Sequence, residues 1–198
     1  MLKLTSYLTT TEPVSVTDLK AHLRVDSTSE DSYLEALLKV ARQSAESITH
    51  RQLIPAGFAL TADNFGAFEL RPPLLNTSNI SISYVDSTGG TTTVSSTVYE
   101  VHDDGEGPAI LTTAYGQSWP TPRSVKGAVT VSYQAGYTTS TTLATAANPI
   151  PDSIGHWIKM VAGAMYEHRE AVEPGMNAQV RYKFLDGLLD DYVVHVVR

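Results

Sequence analysis

The middle of the chain differs in composition from its two ends, and this contrast limits the folds open to it. Between residues 56 and 148 only ten residues are charged, while 26 are Ser or Thr. Short runs of β-branched and aromatic residues recur there, separated by Gly, Pro, Asn or Asp. Such runs predict short antiparallel strands joined by turns. We therefore expect a small antiparallel sandwich or barrel in this segment.

Two stretches of this segment carry the clearest β signals. In NISISYVD the apolar Ile80, Ile82 and Tyr84 alternate with Ser, which is the period of a half-buried strand. The following DSTGG, at residues 86–90, predicts a hairpin turn, because glycine permits the positive φ that such turns require. Residues 138–148 are rich in Ser, Thr and Ala, and their low complexity indicates a polar loop.

The N-terminal part of the chain predicts two helices with capping boxes. Ser15 is followed three residues later by Asp18, and Ser27 is followed by Glu30 at the same spacing. Behind the second cap, apolar residues follow the helical period along one stripe. That stripe consists of Leu34, Leu37, Leu38, Ala41, Ala45 and Ile48.

Charged residues on the second predicted helix have i,i+4 spacing. Glu35 precedes Lys39 and Arg42 precedes Glu46, and both pairs are expected on the solvent side, opposite the apolar stripe.

Helical periodicity returns after Pro149. A third helix, capped by Asp152 or Ser153, is predicted by the stripe Ile154, Trp157, Ile158, Val161, Ala162 and Met165. Beyond Pro174-Gly175, a fourth is predicted by Val180, Phe184, Leu185, Leu188, Leu189 and Tyr192. The fold class predicted is α+β: a helical bundle formed by residues 1–55 and 149–198, with a small antiparallel β subdomain inserted at 56–148.

The charge and cysteine content exclude several function classes. The net charge is −7 and no basic stripe is visible, which argues against binding nucleic acid through its phosphates. An acidic protein can still surround DNA without retaining it, because like charges repel. The chain has no cysteine, so disulfides and thiolate metal sites are excluded.

Candidate catalytic or metal-binding groups are few. The loop HDDGEG, residues 102–107, lacks the ligand order of a calcium loop and indicates a solvated turn. His156 and His168 lie twelve residues apart, which places them about 120° apart around a helix, so they cannot share one metal ion. No phosphate loop, nucleophile elbow or zinc-protease motif is present. We expect no catalysis, no cofactor and no metal.

Several segments together resemble the bacteriophage head–tail connector (adaptor) family. Residues 14–54 resemble its opening, with LKAHLRVD, an acidic ED pair, and a long helix leading to RQLI. In order after it, further landmarks of the family are matched by YVDSTGG, YGQSWP, AVTVSYQAGY, PIPDSIGHWIKMVAGAMYEHREAV and FLDGLLDDY. The matches extend over nearly the whole chain.

The resemblance implies a non-enzymatic subunit of a virion neck, located between capsid and tail and assembled in the bacterial cytoplasm. Subunits of the family form a ring, roughly twelvefold, beneath the portal protein. This ring extends the DNA channel, through which DNA passes without specific binding, and docks the tail or a tail-completion or tail-terminator protein. No membrane is involved.

Two other function classes remain open from the residues alone. One is a carbohydrate-binding β module of a virion or cell-surface protein, with Trp119 and neighbouring tyrosines as its platform. The other is a hydrolase that uses His168 or the His102 loop.

The C-terminal VVHVVR is a candidate for partner contact. Its β-branched residues favour an extended segment, and an exposed apolar strand is expected to find a partner. The segment either folds back on its own subunit or docks on the portal or a neighbouring connector. In the second case, the predicted anchors are Tyr192, Val194 and Val197.

Overall fold

The computed structural model describes residues 1–105, 107–144, 147–168, 185 and 187–194. The chain divides into two compact units. The β unit comprises Met1–Thr10 and Ile54–Pro149, and the helical unit comprises Thr11–Leu53 and Ile150–Arg198. Helices and antiparallel sheets are both present, which confirms the predicted α+β class.

Two antiparallel sheets form the β unit. The five-stranded sheet has the order β1-β2-β8-β4-β5, and the three-stranded sheet has the order β3-β7-β6. The strands are β1 (Leu2–Tyr7), β2 (Ala56–Ala62), β3 (Phe68–Leu70), β4 (Ser81–Val85), β5 (Thr91–Thr93), β6 (Tyr99–His102), β7 (Ala109–Thr113) and β8 (Val129–Ala135). Buried side chains from both sheets form one core, among them Phe58, Ile82, Val131, Leu70 and Leu111. β4 falls on NISISYVD, which was predicted as a half-buried strand, and the other strands from β2 to β8 lie within the segment predicted to be β.

The hairpin predicted at residues 86–90 joins β4 to β5. The Asp86 N–H donates to the Gly90 carbonyl at 2.8 Å, and the Asp86 carboxylate accepts from the hydroxyl and N–H of Thr88. The Thr88 hydroxyl is the largest cause that holds the pKa of Asp86 below its usual value, followed by the Thr88 N–H. The turn is thus stabilised by an ionised side chain as well as by glycine.

β1 was not predicted from the sequence. It lies at one edge of the five-stranded sheet, antiparallel to β2, and all six of its residues are exposed. Because of this pairing, Met1–Thr10 belong to the β unit, whereas the sequence had placed residues 1–55 with the helices.

Tyr133 on β8 is a buried titratable residue, and it makes the stability of the β unit depend on pH. The side chain is 2% exposed, and its hydroxyl accepts a hydrogen bond from the Arg71 N–H at 2.9 Å. Burial raises the pKa of Tyr133 from its usual 10.0 to about 12. A group whose pKa is raised on folding stabilises the folded state. Its contribution is fully present below the pKa of the unfolded state and is lost as pH rises through the pKa of the folded state.

We therefore expect the free energy of unfolding to fall between pH 10 and pH 12, by up to about 3 kcal/mol from this group. Urea denaturation across that range measures the slope. Tyr133→Phe removes the titrating group and should flatten the slope, leaving the share due to Tyr99, whose pKa is also raised by burial. Equal slopes in both proteins would show that Tyr133 is not the cause.

The helical unit contains α1 (Val16–Leu23), α2 (Asp31–Thr49) and α3 (Asp152–Glu167), which pack against one another. The cap predicted for α1 is confirmed, since the Ser15 hydroxyl oxygen accepts from the Asp18 N–H at 3.0 Å. The other caps were wrong. α2 begins at Asp31 without a side-chain cap, because the Ser27 hydroxyl accepts from the Ser29 N–H in a local turn instead.

α3 also begins without the cap predicted for it. Its N-cap is Pro151, and neither Asp152 nor Ser153 takes that place, because both lie inside the helix. Ile154, Trp157, Ile158 and Ala162 are buried as predicted, while Val161 and Met165 are half-buried.

The buried face of α2 is wider than its apolar stripe. Leu34, Leu37, Leu38, Ala41 and Ala45 are buried as predicted, but Ile48 is 42% exposed and Thr49 is buried in its place. The solvent-side prediction holds for Glu35 and Lys39, which are exposed. It was wrong for Arg42 and Glu46, which are 3% and 7% exposed.

The C-terminal stripe lies partly outside the described residues. Val180 and Phe184 fall there, whereas Leu185 and Leu189 are buried, at 3% and 0% exposure. Asp190–Tyr192 form a short 3-10 helix rather than a further turn of α-helix. Among the described residues, no helix is long and apolar enough to cross a membrane.

Candidate assembly surfaces

The described residues of the acidic loop, 102–105 and 107, make side-chain-to-backbone hydrogen bonds that are typical of a turn. The Asp103 carboxylate accepts from the Gly105 N–H at 2.9 Å, and the Asp104 carboxylate accepts from the Gly107 N–H at the same distance. Both carboxylates thus act on their own turn, one oxygen each. Within the described part of the chain, no group of three or more His, Asp or Glu side chains could hold a metal.

The histidines of α3 do not form a site with each other. The ring of His156 lies edge-on to His22 of α1, with 6.4 Å between ring centroids. His168 follows α3 as its C-cap, and its N–H donates to the Ala164 carbonyl at 3.0 Å. His168 therefore ends the helix.

Trp119 belongs to an aromatic cluster of the β unit. Its ring stacks on Phe65 with 4.9 Å between centroids and an interplanar angle of 13°, and it meets Phe68 edge-on at 6.4 Å. Trp119 is half-buried and packs against the β core. One face of the indole is thus occupied by Phe65, and the ring helps to cover the core of the β unit.

A network of charged and polar groups surrounds Arg42 in the helical unit. The guanidinium donates to Glu12 at 2.7 Å and to Glu46 at 2.9 Å. The second Glu46 oxygen accepts from the Gln52 side chain at 2.8 Å and from the Leu53 N–H at 3.0 Å. The network connects the segment before α1, the middle of α2 and the chain leaving α2.

The C-terminal residues meet the end of α2 in the same unit. The Arg51 Nε donates to the Tyr192 carbonyl at 2.7 Å, and the Val194 N–H donates to the Thr49 carbonyl at 2.9 Å. Val194 is 7% exposed, Tyr192 is half-buried, and Val197 lies outside the described residues. The contacts described are made within the subunit, and the predicted anchoring of a partner by these three residues stays a prediction.

The five-stranded sheet presents two edges to solvent, one at β1 and one at β5. β1 exposes Leu2 by 40% and Leu4 by 39%, and the three threonines of β5 are all exposed. Open edges with few charged side chains favour pairing with a further strand, and Lys3 is the one charged residue of these two strands. The sequence had indicated a charge-poor β insertion, but these edges became visible only once the strand order was known.

The fold has clear relatives among solved structures. The chain matches over 100% of its length, and over 97% of the other chain, a structure described as "Neck of empty GTA particle computed with C6 symmetry", with a TM-score of 0.72 and 23% identity. Coverage is the same for "Virion of native gene transfer agent (GTA) particle", with a TM-score of 0.71 and 22% identity. It is the same again for "Neck of native GTA particle computed with C12 symmetry", with a TM-score of 0.71 and 20% identity. The chain thus has a fold that occurs in gene transfer agent particles.

A protein-family model also matches part of the sequence. The model described as "Phage gp6-like head-tail connector protein" matches residues 13–73, which contain α1, α2, β2 and β3. The resemblance predicted from LKAHLRVD and RQLI is thereby confirmed. No match is found among proteins with curated functions.

Proposed function

We propose that this protein is a non-enzymatic connector subunit of the neck of a tailed phage or phage-like particle, and that it assembles into a ring under the portal. The observation that carries the proposal is the full-length likeness to chains of GTA particles, two of them described as necks computed with C6 and C12 symmetry. The family match at residues 13–73 supports it independently, since it rests on sequence.

The surfaces described above suit a subunit that assembles with identical copies into a ring. A ring of identical subunits needs two different patches on each copy, because every interface is head to tail. The two edges of the five-stranded sheet provide such a pair. The net charge of −7 suits a channel that lets DNA pass without retaining it. Docking of the tail or of a tail-completion protein on the ring is part of the same proposal.

Co-expression with the portal protein of the same particle tests this function. Native mass spectrometry and electron microscopy should show a cyclic assembly of this subunit stacked on the portal ring. The portal protein of an unrelated phage is the control and should recruit none. A subunit that stays monomeric at every concentration and never joins its portal would defeat the proposal.

A further inference from the structure

The exposed edge at β1 presents hydrogen-bonding groups at alternate residues. Met1 and Thr61 exchange both of their backbone hydrogen bonds, at 2.5 and 2.8 Å. Directly opposed residues of an antiparallel pair alternate between bonded and non-bonded pairs. The N–H and C=O groups of Leu2 and Leu4 therefore point away from β2.

The edge at β5 follows the same rule. The Asp86 N–H donates to the Gly90 carbonyl where the β4–β5 ladder begins. Alternation from this pair directs the backbone groups of Thr91 and Thr93 away from β4. Each edge of the sheet thus offers two residues for pairing.

Both edge strands also place side chains on the face of the sheet that covers the core. Leu2 lies opposite Leu60 and Leu4 opposite Phe58, so both leucines are on the face of the sheet that covers the core. On β5, Thr92 lies opposite the core-facing Tyr84. Thr92 therefore points to the core face, and its two neighbours point to the other face.

Strand direction decides how two copies can join. Every neighbouring pair in the order β1-β2-β8-β4-β5 is antiparallel, so β1 and β5 run in the same direction. Neighbours in a sixfold or twelvefold ring differ by a sixth or a twelfth of a turn, which is too small to reverse a strand. In such a ring, β1 of one subunit can meet β5 of the next only as a parallel pair.

We infer that β1 of each subunit pairs in parallel with β5 of its neighbour, so that the five-stranded sheet continues from subunit to subunit around the ring. The inference rests on the ring of the proposed function. Leu4 lies beside Thr92, its N–H donates to the Thr91 carbonyl, and its carbonyl accepts from the Thr93 N–H. The Thr91 N–H donates in turn to the Leu2 carbonyl.

This register satisfies the hydrogen bonds and the faces together. In a parallel pair, one residue bonds to the two residues that flank its neighbour, and the neighbours share a face. Leu4 and Thr92 share the core face, and Thr91 and Thr93 point their backbone groups outward. An antiparallel pair would place Leu4 opposite Thr91 or Thr93, whose side chains lie on the other face.

The side chains at the joint favour a second copy of this chain over a charged partner. β1 carries Lys3 as its one charge and β5 carries none. Lys3 points to the face opposite to Leu2 and Leu4, so pairing along the strand edge covers the two leucines without burying the Lys3 ammonium group.

Engineered cysteines test the register directly, because the chain has none of its own. Residues side by side on paired strands lie about 4.7–4.9 Å apart, within the range for a disulfide. Within one subunit, β2, β8 and β4 lie between β1 and β5, a separation of roughly 19 Å that no disulfide spans. Leu4→Cys/Thr92→Cys should therefore link only different subunits, giving a ladder of oligomers on a non-reducing gel after oxidation of assembled rings.

The matched control is Leu4→Cys/Thr93→Cys, which moves one thiol by one residue to the opposite face. It should give at least about tenfold less linked dimer, because the Cβ vectors diverge. Rings that form but give no links, or equal links in both variants, would overturn the strand pairing and leave the proposed function intact. If no ring forms at all, the proposed function fails and the pairing fails with it.

Discussion

Replacing Arg42 with Met is expected to lower the free energy of unfolding by about 3–5 kcal/mol. The guanidinium is 3% exposed and lies between the carboxylates of Glu12 and Glu46. Removing it leaves the buried Glu46 carboxylate and the partly buried Glu12 carboxylate without this cation. Urea denaturation followed by circular dichroism at neutral pH measures the loss.

Lys39→Met on the same helix is the matched control. Lys39 is exposed, as is Glu35 four residues before it. Exposed ion pairs contribute little, so the change should stay within about 0.5 kcal/mol of the parent. If the two variants lose similar stability, the network around Arg42 does not hold the helical unit together.

Deleting residues 193–198 is expected to destabilise the subunit by about 2–4 kcal/mol. The deletion removes the buried side chain of Val194, worth about 1.5–3 kcal/mol. It also removes the hydrogen bond from the Val194 N–H to Thr49, worth about 0.5–1.5 kcal/mol. Thermal or urea unfolding gives the difference.

The shorter deletion of residues 195–198 retains Val194 and every contact described above, and so separates folding from partner binding. Both truncated proteins are then tested for joining portal rings. If the tail docks on a partner through Val197, the shorter deletion should stay folded and fail to join. Normal joining by the shorter deletion would show that the tail does not hold the joint.

The periodicity of apolar residues was sufficient to predict α2 and α3, and short runs of β-branched and aromatic residues predicted the segment that holds β2 to β8. Except for β5, whose three threonines are exposed, each of these elements at least partly buries an apolar stripe or face that its own sequence displays. β1 was not predicted because all six of its residues are exposed, so no buried face marks the strand in the sequence. Its pairing with β2 also depends on a segment about fifty residues away. Likewise, nothing local to Arg42 and Glu46 shows that Glu12 and Gln52 cover that side of α2.

The sequence could predict the chemical character of the candidate surfaces but not which elements form them. A charge-poor, Ser/Thr-rich insertion suits subunits that pair through hydrogen bonds and modest apolar patches without burying many charged groups, but it does not specify which surfaces pair. The edge strands are known only from the strand order of the sheet. That order depends on pairing between strands that are far apart in the sequence, such as β2 and β8. The pairing of the C-terminal residues with Thr49 is also a contact between distant positions, and a short apolar tail does not specify it.

The place of β1 in the sheet also determines when the fold can be completed during synthesis. α1 and α2 lie between β1 and β2 in the chain, and β2 is flanked in the sheet by β1 and by β8, which is made much later. α1 and α2 can contact each other early, whereas the sheet waits for residues near 135 and the helical unit waits for α3, which ends at Glu167. Contacts between distant segments form slowly, and unpaired strands associate readily. Between translation of β1 and translation of β8, β2 lacks one of its two partners in the sheet, and an unpaired strand edge favours binding between nascent chains.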